Sequence, residues 1–212
     1  MDIVEQVTKR AKEFFADSKG SHDWEHTLRV YNLCLRIGEK ENADMEALKI
    51  AAILHDIGRK HQDKCNGEIC HAEKGAILAR ELLSEFGIEA NKINKIVHCI
   101  ETHRFRGNRI PNSKEAKILF DADKLDSIGA VGIGRAFLFA GEIGAKLHNK
   151  DADIDKTKPY TKEDTAYREY MVKLKKVKER MLTDGGKHIA EERHKFMVEF
   201  FDRLNNEVDG NL

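Results

Sequence analysis

Apolar side chains recur at three- and four-residue spacing through almost the whole chain, and that period admits helices and little else. Residues 2–16 set Ile3, Val4, Val7, Ala11, Phe14 and Phe15 on one side. Residues 22–40 repeat the pattern at His26, Val30, Leu33, Cys34 and Ile37, with Gly38 near the end. Asp44 is placed to cap the next helix, which runs through Met45, Leu48, Ala51, Ala52, Leu54 and His55 and is expected to end at Gly58. Its IAAIL run is apolar nearly all round, so this helix is predicted to be central and buried. Further helices are predicted over about 71–86, about 89–103 and the stretch carrying Ala116, Leu119, Ala122 and Asp123. Residues 128–147 keep helical rows despite many glycines, and two amphipathic helices close the chain at roughly 161–182 and 187–207, separated by Gly185-Gly186.

The connections carry their own signals. Asp17-Ser18-Lys19-Gly20 reads as a turn, residues 61–70 as polar and irregular, the stretch with Gly107 and Pro111 as a loop, and residues 148–160 as a charged loop. No segment alternates as a strand does. The expected class is all-α, in a single domain over residues 1–212 with a core at about 20–130 and a C-terminal helical part at about 131–207.

Composition removes several functions. Of 212 residues, 37 are Lys or Arg and 37 Asp or Glu, so the formal charge is zero and no basic excess favours a nucleic-acid duplex as partner. The N-terminal MDIVEQVTKR carries acidic residues where a leader would be basic. The most apolar window, AVGIGRAFLFAGEIGA, holds Arg135 and Glu142 and falls short of the ~20 residues of a membrane span. A cytoplasmic protein with no membrane partner is expected. Cys34, Cys65, Cys70 and Cys99 form no disulfide framework in a chain of this size, and reduced thiols are expected. Gly132-Ile133-Gly134 lacks the preceding strand and third glycine of a dinucleotide loop.

The chemistry concentrates in buried polar positions. His26 lies on the apolar side of its helix, His55 and Asp56 sit together at the end of the most apolar one, and Asp123 closes an apolar turn in KILFDADKLD. Carboxylates at the ends of core helices are costly unless something compensates them. A divalent cation would do so, and imidazoles with carboxylates suit Mn²⁺, Fe²⁺, Zn²⁺ or Mg²⁺. Separations this wide exclude a local loop site and fit facing helices that point ligands inward. Hydrogen-bonded His/Asp pairs in a purely structural core are the alternative.

The order SHDWEHTLRV, ILHDIGR, LFDADKLDSIGAVGIGRAF resembles the HD-domain metal-dependent phosphohydrolases, over essentially residues 20–205. The resemblance implies an HD-type helical bundle with a C-terminal helical extension. It implies metal ligands at His26, His55, Asp56 and Asp123, with Mn²⁺ the first expectation and Mg²⁺, Fe²⁺, Zn²⁺, Ni²⁺ or Co²⁺ as alternatives. It implies hydrolysis of phosphate ester or anhydride bonds by metal-activated water, with a small phosphorylated substrate, a nucleotide above all. The alternative is a catalytically weak module that binds nucleotide and metal for regulation.

His71 and His103 resemble positions that hold a second metal in some relatives, and His98 and His103 could instead hold substrate phosphate. Some relatives carry an acid three to five positions after the HD aspartate, where this chain has Arg59, Lys60 and His61. Asp23 is the remaining acid near the first motif, with helix capping as its alternative role. Arg59, Lys60 and Lys124 are candidates for phosphate contact, and Arg104 and Arg106 cluster near the same motifs.

Overall fold

A computed structural model describes residues 2–16, 23–65, 68–104 and 109–212. Every regular element among them is helical. Residues 17–20, Arg106 and Gly107 lie outside the described residues. The chain divides into two compact units, Met1–Asp123 and Lys124–Leu212.

In the first unit, α1 (Ile3–Phe14), α2 (Trp24–Glu41) and α3 (Met45–Leu54) are followed by the short α4 (Arg59–Lys64). Then come α5 (His71–Glu85), α6 (Ala90–Thr102) and α7 (Lys114–Leu125), whose last two residues start the second unit. α3 is the hub and packs on α1, α2 and α6, while α5 packs on α6 and α4. Its Leu48, Ile50, Ala51, Ala52 and Leu54 are completely buried, as the apolar IAAIL run predicts. Each Leu or Ile buried this way contributes about 1.5–3 kcal/mol.

The caps set where these helices begin. The Asp23 carboxylate accepts from the His26 amide at 2.9 Å, and that of Asp44 from the Ala47 amide at 3.1 Å. α2 stops at Asn42, which takes the left-handed conformation at φ 52°. Asp44 also ties three helices together. Its backbone amide donates to Glu115 on α7 at 2.9 Å, and its other carboxylate oxygen accepts from Lys95 on α6 at 2.9 Å.

The Lys95 hydrogen bond holds the Asp44 carboxyl below its ordinary value of 3.8. A depressed folded value stabilises the protein above the unfolded value, and the contribution disappears as pH falls through the folded one. Asp44→Asn keeps a capping oxygen but removes the charge. Urea unfolding of this variant is expected to show a shallower loss of stability on acidification below pH 3.8. Superimposable acid limbs for parent and variant would contradict the Lys95–Asp44 coupling.

The second unit contains α8 (Gly129–Glu142), a 3₁₀ turn at Ile154–Lys156, α9 (Ala166–Val172), a 3₁₀ segment at Leu174–Arg180 and α10 (Asp184–Val208). α8 packs on α9 and α10. Tyr170 stacks on Phe201 with centroids 4.3 Å apart, and Tyr167 and Phe200 flank the pair.

Four sequence expectations need correction. Residues 61–70 are not wholly irregular, because α4 occupies Arg59–Lys64. His55 and Asp56 lie in a turn beyond α3, not in its last helical turn. The helix expected over 161–182 breaks at Lys173, where φ is −135° and ψ is −57°, and continues as 3₁₀. Leu174 and Val177, three apart, are both buried there, which suits three residues per turn. Gly185-Gly186 belongs to the first turn of α10, because Thr183 caps that helix by accepting from the Gly186 amide at 2.9 Å. No described helix is long and apolar enough to cross a membrane.

Candidate metal centre

Four helices and one turn of the first unit deliver six side chains to one place. His26 comes from the first turn of α2, fixed at its amide by the Asp23 cap. His55 and Asp56 come from the turn after α3, His71 opens α5, His103 closes α6 and Asp123 lies near the end of α7. Five of the six are buried, and Asp123 is the exception, with 16% of its side chain exposed.

Asp56 stands between two triads. Its Oδ2 lies 3.7 Å from His26 Nε2 and 3.8 Å from His55 Nε2. Its Oδ1 lies 3.1 Å from His71 Nε2 and 3.7 Å from His103 Nε2. On the first side His26 Nε2 is 3.3 Å from His55 Nε2 and 3.5 Å from Asp123 Oδ1. On the second, His71 Nε2 is 3.2 Å from His103 Nε2. The groups His26/His55/Asp123 and Asp56/His71/His103 each present ligand atoms within 4.8 Å of one another.

Hydrogen bonds at the far side of the rings fix where the protons are. His55 Nδ1 faces the Ala52 carbonyl at 2.8 Å, and His103 Nδ1 faces that of Ile100 at 2.6 Å. A carbonyl only accepts, so both rings donate from Nδ1 and turn a bare Nε2 inward. His71 Nδ1 lies 2.9 Å from Gln62 Oε1, which also faces the His71 amide and the Arg104 guanidinium. Burial pushes His55 below its ordinary pKa. Burial, with neighbouring His55 next in importance, takes His103 down to about 3. Both are neutral imidazoles at neutral pH, the form that binds metals.

Bare nitrogens and carboxylates crowded at 3–4 Å repel one another. A cation between them would relieve that repulsion in the second triad, where His71 Nε2 lies 3.1 Å from Asp56 Oδ1. Imidazole nitrogen with carboxylate oxygen fits a borderline-to-hard divalent cation.

The other expected residues are not members of either triad. His98 is half-buried, and its Nε2 accepts from the Asn112 amide at 3.4 Å, outside both triads. Asp23 is a helix cap. Arg59 sits beside the second triad, with Nη1 3.5 Å from His71 Nδ1. Lys60 is exposed on α4, and Lys124 follows Asp123 on α7, half-buried, as the first residue of the second unit. Gln62 carries no signal in the sequence, because α4 spans six residues and is too short to show a period.

The HD-domain family model matches residues 23–128. YpgQ of Bacillus subtilis, an uncharacterized protein, is 35% identical over 212 residues, covering 98% of this chain and 94% of that one. The crystal structure of YpgQ in complex with ADP superposes with a TM-score of 0.75 at 33% identity, covering 96% of this chain and 94% of that one. A predicted HD-superfamily hydrolase from an uncultured Thermotogales bacterium gives 0.70 at 30% identity, covering 96% and 91%. An HD-superfamily hydrolase from Bacillus thuringiensis gives 0.77 at 26%, covering 97% and 96%. The matched segment opens at the Asp23 cap and runs past Asp123, so it takes in all six converging side chains, and this chain belongs to the HD-domain family.

Proposed function

We propose that the chain is a divalent-cation-dependent phosphohydrolase acting on the ester or anhydride bonds of nucleotides. The observation that carries this reading is the set of inward Nε2 lone pairs on His55, His71 and His103, held bare by acceptors behind the rings and gathered around the two oxygens of Asp56. Family membership and the ADP complex of YpgQ support the nucleotide class.

His26, His55, Asp123 and Oδ2 of Asp56 would hold one cation. Oδ1 of Asp56 with His71 and His103 would hold a second rather than a substrate phosphate, because a phosphate oxygen needs donors and would meet a carboxylate and two lone pairs. When bound, such cations supply Lewis acidity towards a phosphoryl oxygen and towards water at neutral pH, with Mn²⁺ the first expectation.

The chain's own residues do the rest. The Nδ1 protons of His55 and His103 are committed to the Ala52 and Ile100 carbonyls, so neither ring serves as the acid. Asp23 holds His26 by its amide. Arg59 and Arg104 bring guanidinium groups to the His71 side, where they suit phosphoryl oxygens; Lys60 and Lys124 are further candidates.

A panel of nucleoside mono-, di- and triphosphates with Mn²⁺, followed for phosphate and pyrophosphate, tests the proposal. Release from at least one nucleotide, abolished by chelation, is expected. Saturable nucleotide binding without product would favour the regulatory module. No metal-induced thermal shift and no turnover would favour a structural core.

A further inference from the structure

We propose that Gln62 is the positioning residue that keeps the Asp56/His71/His103 site open to a cation, by fixing the tautomer of His71. The inference rests on the metal reading above but is decided by its own measurement. Gln62 lies on α4, and its Oε1 is 3.2 Å from the His71 amide nitrogen, 2.9 Å from His71 Nδ1 and 2.9 Å from Arg104 Nη1. A backbone amide and a guanidinium only donate. The atom they share is therefore the amide oxygen, and His71 Nδ1, facing the same oxygen, must be protonated. That leaves Nε2 bare.

The other tautomer has partners waiting. Arg59 Nη1 lies 3.5 Å from His71 Nδ1 and would donate to it if that nitrogen were bare. Nε2–H would then point at Asp56 Oδ1, 3.1 Å away, and close the site with an ordinary hydrogen bond. Gln62 is what separates a site ready for metal from one sealed by a proton. Its third donor, Arg104, links the same oxygen to a guanidinium suited to phosphate, so one amide positions a ligand and a substrate group together.

The test compares the parent with Gln62→Met and Gln62→Glu. Histidine ¹⁵N spectra of metal-free protein at pH 8 should show His71 protonated at Nδ1 in the parent and in Gln62→Glu, which keeps an acceptor. Gln62→Met should shift the proton to Nε2. Titration with Mn²⁺, read by calorimetry, should give two sites in the parent, with the second weakened roughly 10–100-fold in Gln62→Met and restored to within about threefold in Gln62→Glu. An Nε2-protonated His71 in the metal-free parent overturns the proposal even if neither variant folds. So does a Gln62→Met protein with unchanged tautomer. If the parent binds no Mn²⁺, the metal reading fails, while the spectra still decide the role of Gln62.

Discussion

Asp56→Ala is expected to lose the second cation outright, weaken the first and lower turnover by at least ~10³-fold, while helical content by circular dichroism stays at the parent level. The reason is geometric. Among the described residues Asp56 is the group that faces both triads, one oxygen to each. Without it the second site keeps two imidazoles and no carboxylate. The first keeps His26, His55 and Asp123.

Stability separates a ligand from a structural group. Asp56 is 3% exposed among imidazole nitrogens, so in metal-free protein its carboxyl group is held out of water at a cost. Replacing it should leave the metal-free melting temperature unchanged or higher. What should shrink is the stabilisation on adding Mn²⁺, which for each site at a hundred times Kd amounts to about 2.7 kcal/mol. Metal-dependent turnover retained in Asp56→Ala would refute its role as ligand. A large drop in metal-free stability would instead favour a hydrogen-bonded structural core.

The helical class, the central place of α3 and the cap at Asp44 were legible in the chain, while capping was one of two roles open to Asp23. Each rests on local information: a 3.6-residue period, an apolar run, a side chain able to cap. The convergence of His26, His55, Asp56 and Asp123 followed from buried charge needing compensation together with motif order. His71 and His103 were legible only as a resemblance. Their spacing to Asp56 says nothing about which carboxylate oxygen they face.

What stayed illegible depends on partners distant in sequence. The tautomer of His71 is set by Gln62 nine residues earlier, across a segment whose helix spans six residues. His98 and His103 look equivalent in VHCIETHR. His103 is 1% exposed and turns inward at the end of α6, whereas His98 turns towards Asn112. The break at Lys173 was hidden because amphipathic spacing of three is shared by α and 3₁₀ helices.

Gly58→Ala is expected to destabilise the first unit by about 2–3 kcal/mol and to empty the His71 site, while Gly75→Ala leaves both intact. Gly58 has φ −81°, which any residue adopts, so its requirement is space and not conformation. A β-carbon there would come within 2.3 Å of the His71 carbonyl oxygen and 2.6 Å of the Gly75 nitrogen. Both are backbone atoms near the start of α5, so relief means moving that helix, and His71 moves with it. At Gly75 the nearest atoms are the Gly58 nitrogen at 3.4 Å and Ile100 Cγ2 at 3.5 Å, ordinary contacts. Alanine also favours the helix over glycine by about 1 kcal/mol, so Gly75→Ala should be neutral or slightly stabilising. The HD turn thus carries two ligands and also presses against the helix that supplies a third, and the missing side chain of Gly58 sets that distance. Chemical denaturation and Mn²⁺ stoichiometry on the two variants check this. If Gly58→Ala keeps parental stability and binds the parental number of cations, the turn does not position α5, and the close packing of residue 58 on residues 71 and 75 is irrelevant to the site.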